Sequence, residues 1–357
     1  MHINDYLTYL ADKDGSDLHL KAGGPAFVRI DGDLQPVHQL PALTPEDTVA
    51  FADAIMDDIA RQRVARGQEA DFAYSLAGVG RFRAAVFHQR GSVGLVLRRV
   101  LPGAQSFAEL GLPAAVRRLA EEHRGLVLVT GPTGSGKTTT TAAMISHVNA
   151  TRSCHIVTIE DPIEILHTDE KAIVDQREVG VDTADFTSAL RSVARQDPDV
   201  IFIGEMRDIE TVTAALQAAE TGHMVISTLH TTNATETINR IIDMFPPHQQ
   251  DQTRLSLSNS LRGIICQRLL PSATGGRVAA IEVLVMTARL HEFLLDPAKT
   301  GEIEDAIADG EYYGMQTFDQ HLLNLYREGR ITLKDALAAA TSPHDLRIAV
   351  RAAGLQA

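Results

Sequence analysis

The sequence predicts an α/β protein with two domains, and three observations carry that prediction. Four short runs are apolar throughout: Leu126-Val127-Leu128-Val129, Ile156-Val157-Thr158-Ile159, Val200-Ile201-Phe202-Ile203 and Met224-Val225-Ile226-Ser227. Helical stretches separate them, and strands apolar on both faces that alternate with helices build a mostly parallel sheet covered on both sides. Residues 1 to about 100 read instead as a small α/β module. Between the two, Leu101-Pro102-Gly103-Ala104 and Leu112-Pro113 punctuate the chain. The expected organisation is an N-terminal domain over 1–100, a linker over 101–122, the parallel-sheet core over 123–285 and a helical region over 286–357.

Each element of the first domain has a local cause. Asp31-Gly32 lies between Phe27-Val28-Arg29-Ile30 and Asp33-Leu34-Gln35-Pro36-Val37, a hairpin signal because glycine accepts the positive φ of the turn. Thr44-Pro45-Glu46-Asp47 opens a helix, with threonine as cap, proline in the first turn and acids at the positive end. Val49, Ala52, Ile55, Met56 and Ile59 continue it at helical spacing, and Gly67 is its stop. Residues 80–87 and 93–98 then read as strands. Past residue 285 the chain turns to acidic, Ala/Leu-rich helices such as Phe318 to Arg327 and Thr332 to Ala340.

Composition narrows the function. With 357 residues, 44% of them hydrophobic and 22% charged, the chain has the balance of a globular protein. No run reaches the ~18 apolar residues of a membrane span, and the acids of the first twenty residues leave no signal-peptide centre. A cytoplasmic protein is expected. Cys154 and Cys266 lie too far apart for a Cys-x-x-Cys zinc site and read as buried fillers. A formal net charge of −13 disfavours a nucleic-acid backbone as main partner.

The chemistry begins at Gly131-Pro132-Thr133-Gly134-Ser135-Gly136-Lys137-Thr138, which fits G-x-x-x-x-G-K-[ST] at every fixed position. A buried-strand pattern (Leu126 to Thr130) precedes it and a helix-compatible run (Thr139 to Asn149) follows. Glycines let backbone N–H groups converge on phosphates, and the helix presents its partially positive end. Lys137 would contact the β- and γ-phosphates of ATP, and the Thr138 hydroxyl would coordinate Mg²⁺.

Other strands end in polar groups. Asp199-Val200-Ile201-Phe202-Ile203-Gly204-Glu205 is an apolar run ending in an acid, and such acids face the ligand crevice of an open α/β sheet. Glu205 is placed to hold the metal's water shell or to orient water. Thr158 to Glu164 ends in clustered carboxylates: Glu164 is the candidate water activator, with Glu160 and Asp161 open to metal or structural roles. Ser227-Thr228-Leu229-His230 ends in an imidazole able to donate to a γ-phosphate, with His223 a weaker candidate; His155 and His167 read as surface or packing residues. Transition-state charge also needs a mobile cation. Arg81, Arg83 and Arg98 sit on expected strands of the first domain, Arg81 and Arg83 on one face, and could serve a nucleotide in the same or a neighbouring subunit.

The combination resembles the PilT/PilU family of type IV pilus ATPases, within the wider type II secretion ATPase group. The matching segments are Gly131 to Thr140, including Thr139 of the phosphate loop; Ile159 to Glu164, similar to that family's aspartate box; Asp197 to Asp208, its Walker B; and Ala219 to Thr232, its histidine box. Gly314 to Asp319, Ser16 to Leu20 and Arg81-Phe82-Arg83 match as well. The resemblance implies a ring-shaped homo-hexamer, with a PAS-like α+β N-terminal domain and a RecA-like P-loop core with ATP between them. It implies that Glu164 activates water, Glu205 lies at Mg²⁺, His230 lies near the γ-phosphate, and N-domain arginines act across the site. It also implies partners: an inner-membrane pilus platform protein, with the ring peripheral at the inner face of the membrane, and a second pilus ATPase.

Two features choose a branch. The chain begins at the PAS-like part and lacks a tetracysteine module, which favours retraction and twitching motility; Thr287 to Phe293 matches the retraction ATPases' C-terminal motif only loosely, which keeps a PilU-like accessory role open. Two other readings compete: a RecA-like nucleic-acid motor, opposed by the acidic balance and the lack of an aromatic stacking platform, and a structural ring subunit that binds ATP without hydrolysis, opposed by the carboxylates at 164 and 205.

Overall fold

The structure, a computed structural model, describes residues 2–30, 32–37 and 41–355, with residues 101 and 102 described by backbone alone. Two compact units emerge: residues 1–102 together with 164–166, and residues 103–163 together with 167–357.

The first unit is built on one antiparallel sheet. Its strands are β1 (Asp17–Lys21), β2 (Phe27–Ile30), β3 (Asp33–Pro36), β4 (Ala70–Leu76), β5 (Gly80–Gln89) and β6 (Ser92–Pro102), in the order β3-β2-β1-β6-β5-β4. A two-residue strand, Ile165–Leu166, pairs parallel with the end of β6. Alternation sends Leu18 and Leu20, Phe82, Ala84 and Val86, and Leu95 and Leu97 to one face, where they join Ile3, Leu7, Phe51 and Ile55 of the helices in a single core. Ile30 pairs with Asp33, as the hairpin reading requires, and Gly32 has φ +90°. Asp31 itself lies outside the described residues.

One expected helix is two. The helix Pro45–Ile55 carries the expected Thr44 cap, but it ends at Met56, and Asp57 starts a second helix, Asp58–Ala65, by accepting from Ala60 N at 2.7 Å. A free carboxylate at an N-cap outcompetes helical continuation there. Ile59, expected on the buried stripe, falls on the second helix and is 66% exposed; Val49, expected there too, is 44% exposed on the first.

The second unit carries a seven-stranded sheet. Continuing the chain order, with Ile165–Leu166 as β9, its strands are β7 (Gly125–Thr130), β8 (His155–Glu160), β10 (Ile173–Glu178), β11 (Val200–Ile203), β12 (Met224–Leu229), β13 (Leu261–Pro271) and β14 (Arg277–Val285). Their order is β10-β8-β11-β12-β7-β13-β14; every pairing is parallel except β13 with β14. Residues of β7, β11 and β12 are buried throughout, and β7 sends Leu126 and Leu128 into one core and Val127 and Val129 into another. The all-apolar runs are thus the central strands of a sheet covered on both faces.

Residues 103–122, expected as part of a linker, hold the short helices Phe107–Leu110 and Ala114–Ala120, whose Phe107, Val116 and Leu119 are buried against the second sheet's core. The C-terminal helices, Phe318–Arg327 and Pro343–Ala352 among them, belong to the same unit and bury Phe318, Leu322, Leu346 and Val350 in the other core.

Candidate active site

Strand order fixes where chemistry can occur. β11, β12 and β7 are neighbours with Ile203 opposite Ser227 and Leu229 opposite Thr130, so their carboxyl ends finish at one sheet edge. The segments leaving those ends are Gly204-Glu205, His230 and the loop from Gly131.

The loop from Gly131 is shaped by glycines used for their backbone freedom. Gly131 has φ +149°, and a Cβ there would meet Gln267 O at 2.5 Å and Ser135 Oγ at 2.5 Å. Gly136, at φ +92°, is the N-cap of the helix Lys137–Thr151 and brings no side-chain cap, so the first-turn N–H groups stay available for an anion. The Ser135 hydroxyl is buried without a partner. Lys137 is buried along its stem, and its Nζ donates to Gly131 O at 2.8 Å and Pro132 O at 3.1 Å. Uncapped amides, an orphaned hydroxyl and one buried ammonium on a left-handed glycine frame fit a polyphosphate. Thr138 and Thr139 are half-buried in the first helical turn.

From Lys137 a polar chain runs across the strand ends. Its Nζ lies 3.4 Å from His230 Nδ1, and His230 Nε2 lies 3.2 Å from Glu205 Oε1. An ammonium can only donate, so Nδ1 accepts and the ring carries its proton on Nε2, the nitrogen that faces the carboxylate. The other oxygen of Glu205 accepts from Arg207 Nε at 2.7 Å and lies 2.7 Å from one of its terminal nitrogens as an ion pair. Glu205 is held in place from below: Thr228 Oγ1 donates to Gly204 O at 2.6 Å, Met206 N to Thr228 O at 3.1 Å and Gly204 N to Ile159 O at 2.8 Å. Arg207 escaped sequence reasoning because no motif logic required it; its signal was only its spacing, two residues past the strand-end acid.

Beside the loop opens a cleft of about 340 Å³ lined by Leu110, Leu112, Gly136, Thr139, Leu269 and Arg277 among others. Among the described residues no three His, Cys, Asp or Glu side chains gather as a metal-binding group. A Mg²⁺ held by one hydroxyl, water and phosphate oxygens needs no such cage.

Other candidates have their places. Glu160 is buried and accepts from Thr158 Oγ1 at 2.7 Å and Gln176 Nε2 at 3.1 Å, a structural role. His223 Nδ1 lies 2.9 Å from Ala218 O, closing the end of the helix Ile209–Glu220 rather than facing the loop. His155 ties Gln196 and Asp175, and burial pushes His167 down to about 4; both are packing residues. Glu164 is exposed and belongs, with β9, to the first unit. Arg81, Arg83 and Arg98 also belong to that unit. Arg83 and Arg98 are cross-strand partners, Arg81 lies two residues along the same face, and Arg98 Nε donates to Asp17 Oδ1 at 2.8 Å.

A parallel sheet with a glycine-framed lysine loop at one strand end and an acid and an imidazole at its neighbours defines a P-loop ATPase. The chain belongs to the Type II/IV secretion system protein family, whose model matches residues 2–336. It is 44% identical over 345 residues to the Type IV pilus retractation ATPase PilT of Pseudomonas aeruginosa, covering 97% of this chain and 100% of that one. It is 43% identical to the Type IV pilus ATPase PilU of the same organism, over 98% of this chain and 92% of that one. The crystal structure of the pilus retraction motor PilT with bound ADP superposes with a TM-score of 0.89 at 47% identity, covering 98% of this chain and 99% of that one. The α/β fold with its mixed, mainly parallel sheet is thus shared with PilT-type ATPases, and no helix among the described residues is long and apolar enough to cross a membrane.

Proposed function

We propose that this chain is the ATP-hydrolysing subunit of a homo-hexameric motor for type IV pilus retraction. The observation that carries the reading is the continuous contact Lys137–His230–Glu205 at the mouth of the phosphate loop. In this reading the loop 131–139 binds the phosphates through backbone N–H groups and Lys137, and the cleft beside it takes the base and ribose. The Thr138 hydroxyl and Glu205, the latter partly through water, hold Mg²⁺, which supplies charge neutralisation on the phosphate oxygens. His230, donating from Nε2, turns between Glu205 and a phosphate oxygen and so distinguishes the nucleotide's states.

The remaining roles come from the first unit. Glu164 activates the attacking water, and one of Arg81, Arg83 and Arg98 serves as finger; an arginine finger accounts for about 10³–10⁵ in rate. The domains are read as PAS-like over 1–100 and RecA-like over 123–285, with a helical region over 286–357. The ring works from the cytoplasmic face of the membrane on an inner-membrane platform protein, alongside a second pilus ATPase. Its net charge of −13 argues against nucleic acid as the track.

The test is a strain lacking this chain, scored for surface pili and twitching and complemented with wild type or Lys137→Ala. Excess pili with lost twitching, restored by wild type alone, is expected. Bald cells contradict retraction. The loose match of Thr287 to Phe293, together with the PilU relative, supports the accessory role as the second reading, in which pili still retract without this chain.

A further inference from the structure

One buried carboxyl group is used by none of these steps. Glu282, on β14, is 5% exposed, and its Oε1 accepts from Ala234 N at 2.8 Å. Ala234 opens the helix Ala234–Asp243, which already has its own cap: Asn233 Oδ1 accepts from Glu236 N at 2.8 Å. One capping side chain is the ordinary complement of a helix N-terminus. The second acceptor comes from 48 residues away, at the cost of burying an acid. Burial pushes that acid up to about 6 even though the Ala234 N–H favours its charged form.

Its location explains the expense. Only His230 to Asn233 separate the end of β12 from this helix. At one end of the loop Leu229 pairs with Thr130; at the other stands the Glu282 bond. In register, Cys266 lies opposite Thr130 on one side and Glu282 on the other, so Leu229, Thr130, Cys266 and Glu282 form one row across β12, β7, β13 and β14. Both loops of the site leave from that row, the phosphate loop after Thr130 and the histidine loop after Leu229. Within the second loop Thr231 Oγ1 bonds Thr237 Oγ1 at 2.6 Å, which ties it further to the helix that Glu282 holds.

We propose that Glu282 is a positioning residue for hydrolysis, anchoring the far end of the 230–233 loop to the sheet so that His230 stays between Lys137 and Glu205. The inference rests on the role given to His230 above. It makes β14, which carries no residue of the phosphate loop, part of the hydrolytic apparatus.

The test uses the purified full-length chain with Mg-ATP. Glu282→Ala is expected to lower kcat between about tenfold and a hundredfold while KM stays within about threefold, because the phosphate loop is untouched. Glu282→Gln, which keeps an oxygen acceptor for Ala234 N–H, is expected to retain most of the turnover. In a His230→Ala background Glu282→Ala should add no further loss, since both act through one side chain. If Glu282→Ala does not fold, Glu282→Asp, one methylene shorter, is read in the same way. Wild-type kcat in a folded Glu282→Ala or Glu282→Asp, or full additivity with His230→Ala, overturns the proposal. Wild-type turnover in His230→Ala alone overturns the role of the histidine instead, which separates the two failures.

Discussion

Glu205 shows at the residue scale how much a motif leaves out. The acid at the end of an apolar strand was legible because the carboxyl ends of parallel strands line the ligand crevice of an open sheet. Its two neighbours could not be read together: His230 follows a strand in a different part of the chain, and Arg207 sits two residues on in a loop. Spacing cannot tell a clamping arginine from a solvated one. The structure decides it, since Arg207 places two nitrogens on one carboxylate oxygen while His230 takes the other. Arg207 is 62% exposed in its side chain, so the pair adds little to stability. Arg207→Ala is therefore expected to change the unfolding free energy by less than about 0.5 kcal/mol and yet to lower kcat, because Glu205 loses one of its two restraints. Equal kcat for variant and wild type in a steady-state phosphate assay would remove Arg207 from the site.

At the scale of elements, legibility followed unbroken apolar runs. β7, β8, β11 and β12 were readable as all-apolar runs, and the helices Pro45–Ile55 and Phe318–Arg327 as capped, periodic segments. β10, β13 and β14 went unread: polar residues fill β10, and Gln267-Arg268 and Glu282 interrupt the apolar runs of β13 and β14. β10 is an edge strand, Ile-Val-Asp-Gln-Arg-Glu, and β13 begins at Leu261 directly after a helix ends at Ser260, with no glycine or proline to mark the change. The break at Met56 was hidden because helical periodicity continues across it in the sequence. Its cause is a cap, and Asp57→Ala is expected to destabilise the first unit by about 1 kcal/mol, measurable as a lower denaturation midpoint. The phosphate loop gives a sharper case. Gly131→Ala forces a side chain into φ +149° and against a carbonyl oxygen. A loss of roughly 1–3 kcal/mol is expected, with weakened nucleotide binding in an equilibrium titration; a variant of unchanged affinity would show that the loop tolerates other geometries.

For the whole molecule, two buried groups of the second unit set opposing pH dependences. His321 accepts from Ile281 N at 2.9 Å, and burial pushes its pKa down to about 4. The unfolded chain takes up this proton below about 6.5 and the native one does so only near 4, so stability falls as pH drops through that window, by about 3 kcal/mol at most. Glu282 acts the other way. The native state keeps its proton up to about 6 and the unfolded chain releases it near 4.5, so stability falls as pH rises between those values, by about 2 kcal/mol. Glu282→Gln should thus gain about 2 kcal/mol on wild type between pH 4.5 and pH 7, read from urea unfolding at both; a pH-independent difference would mean that the acid is solvated. Division into two units was visible in the change of sequence pattern near residue 100. The assignment of Glu164–Leu166 to the first unit was not, because a two-residue strand carries no periodicity. The central claim remains that Lys137, His230 and Glu205 act on one nucleotide, and single-turnover phosphate release from Glu205→Gln with Mg-ATP tests it most directly. Tight ATP binding with phosphate release slowed at least about a hundredfold is the expected result; release at the wild-type rate would contradict it.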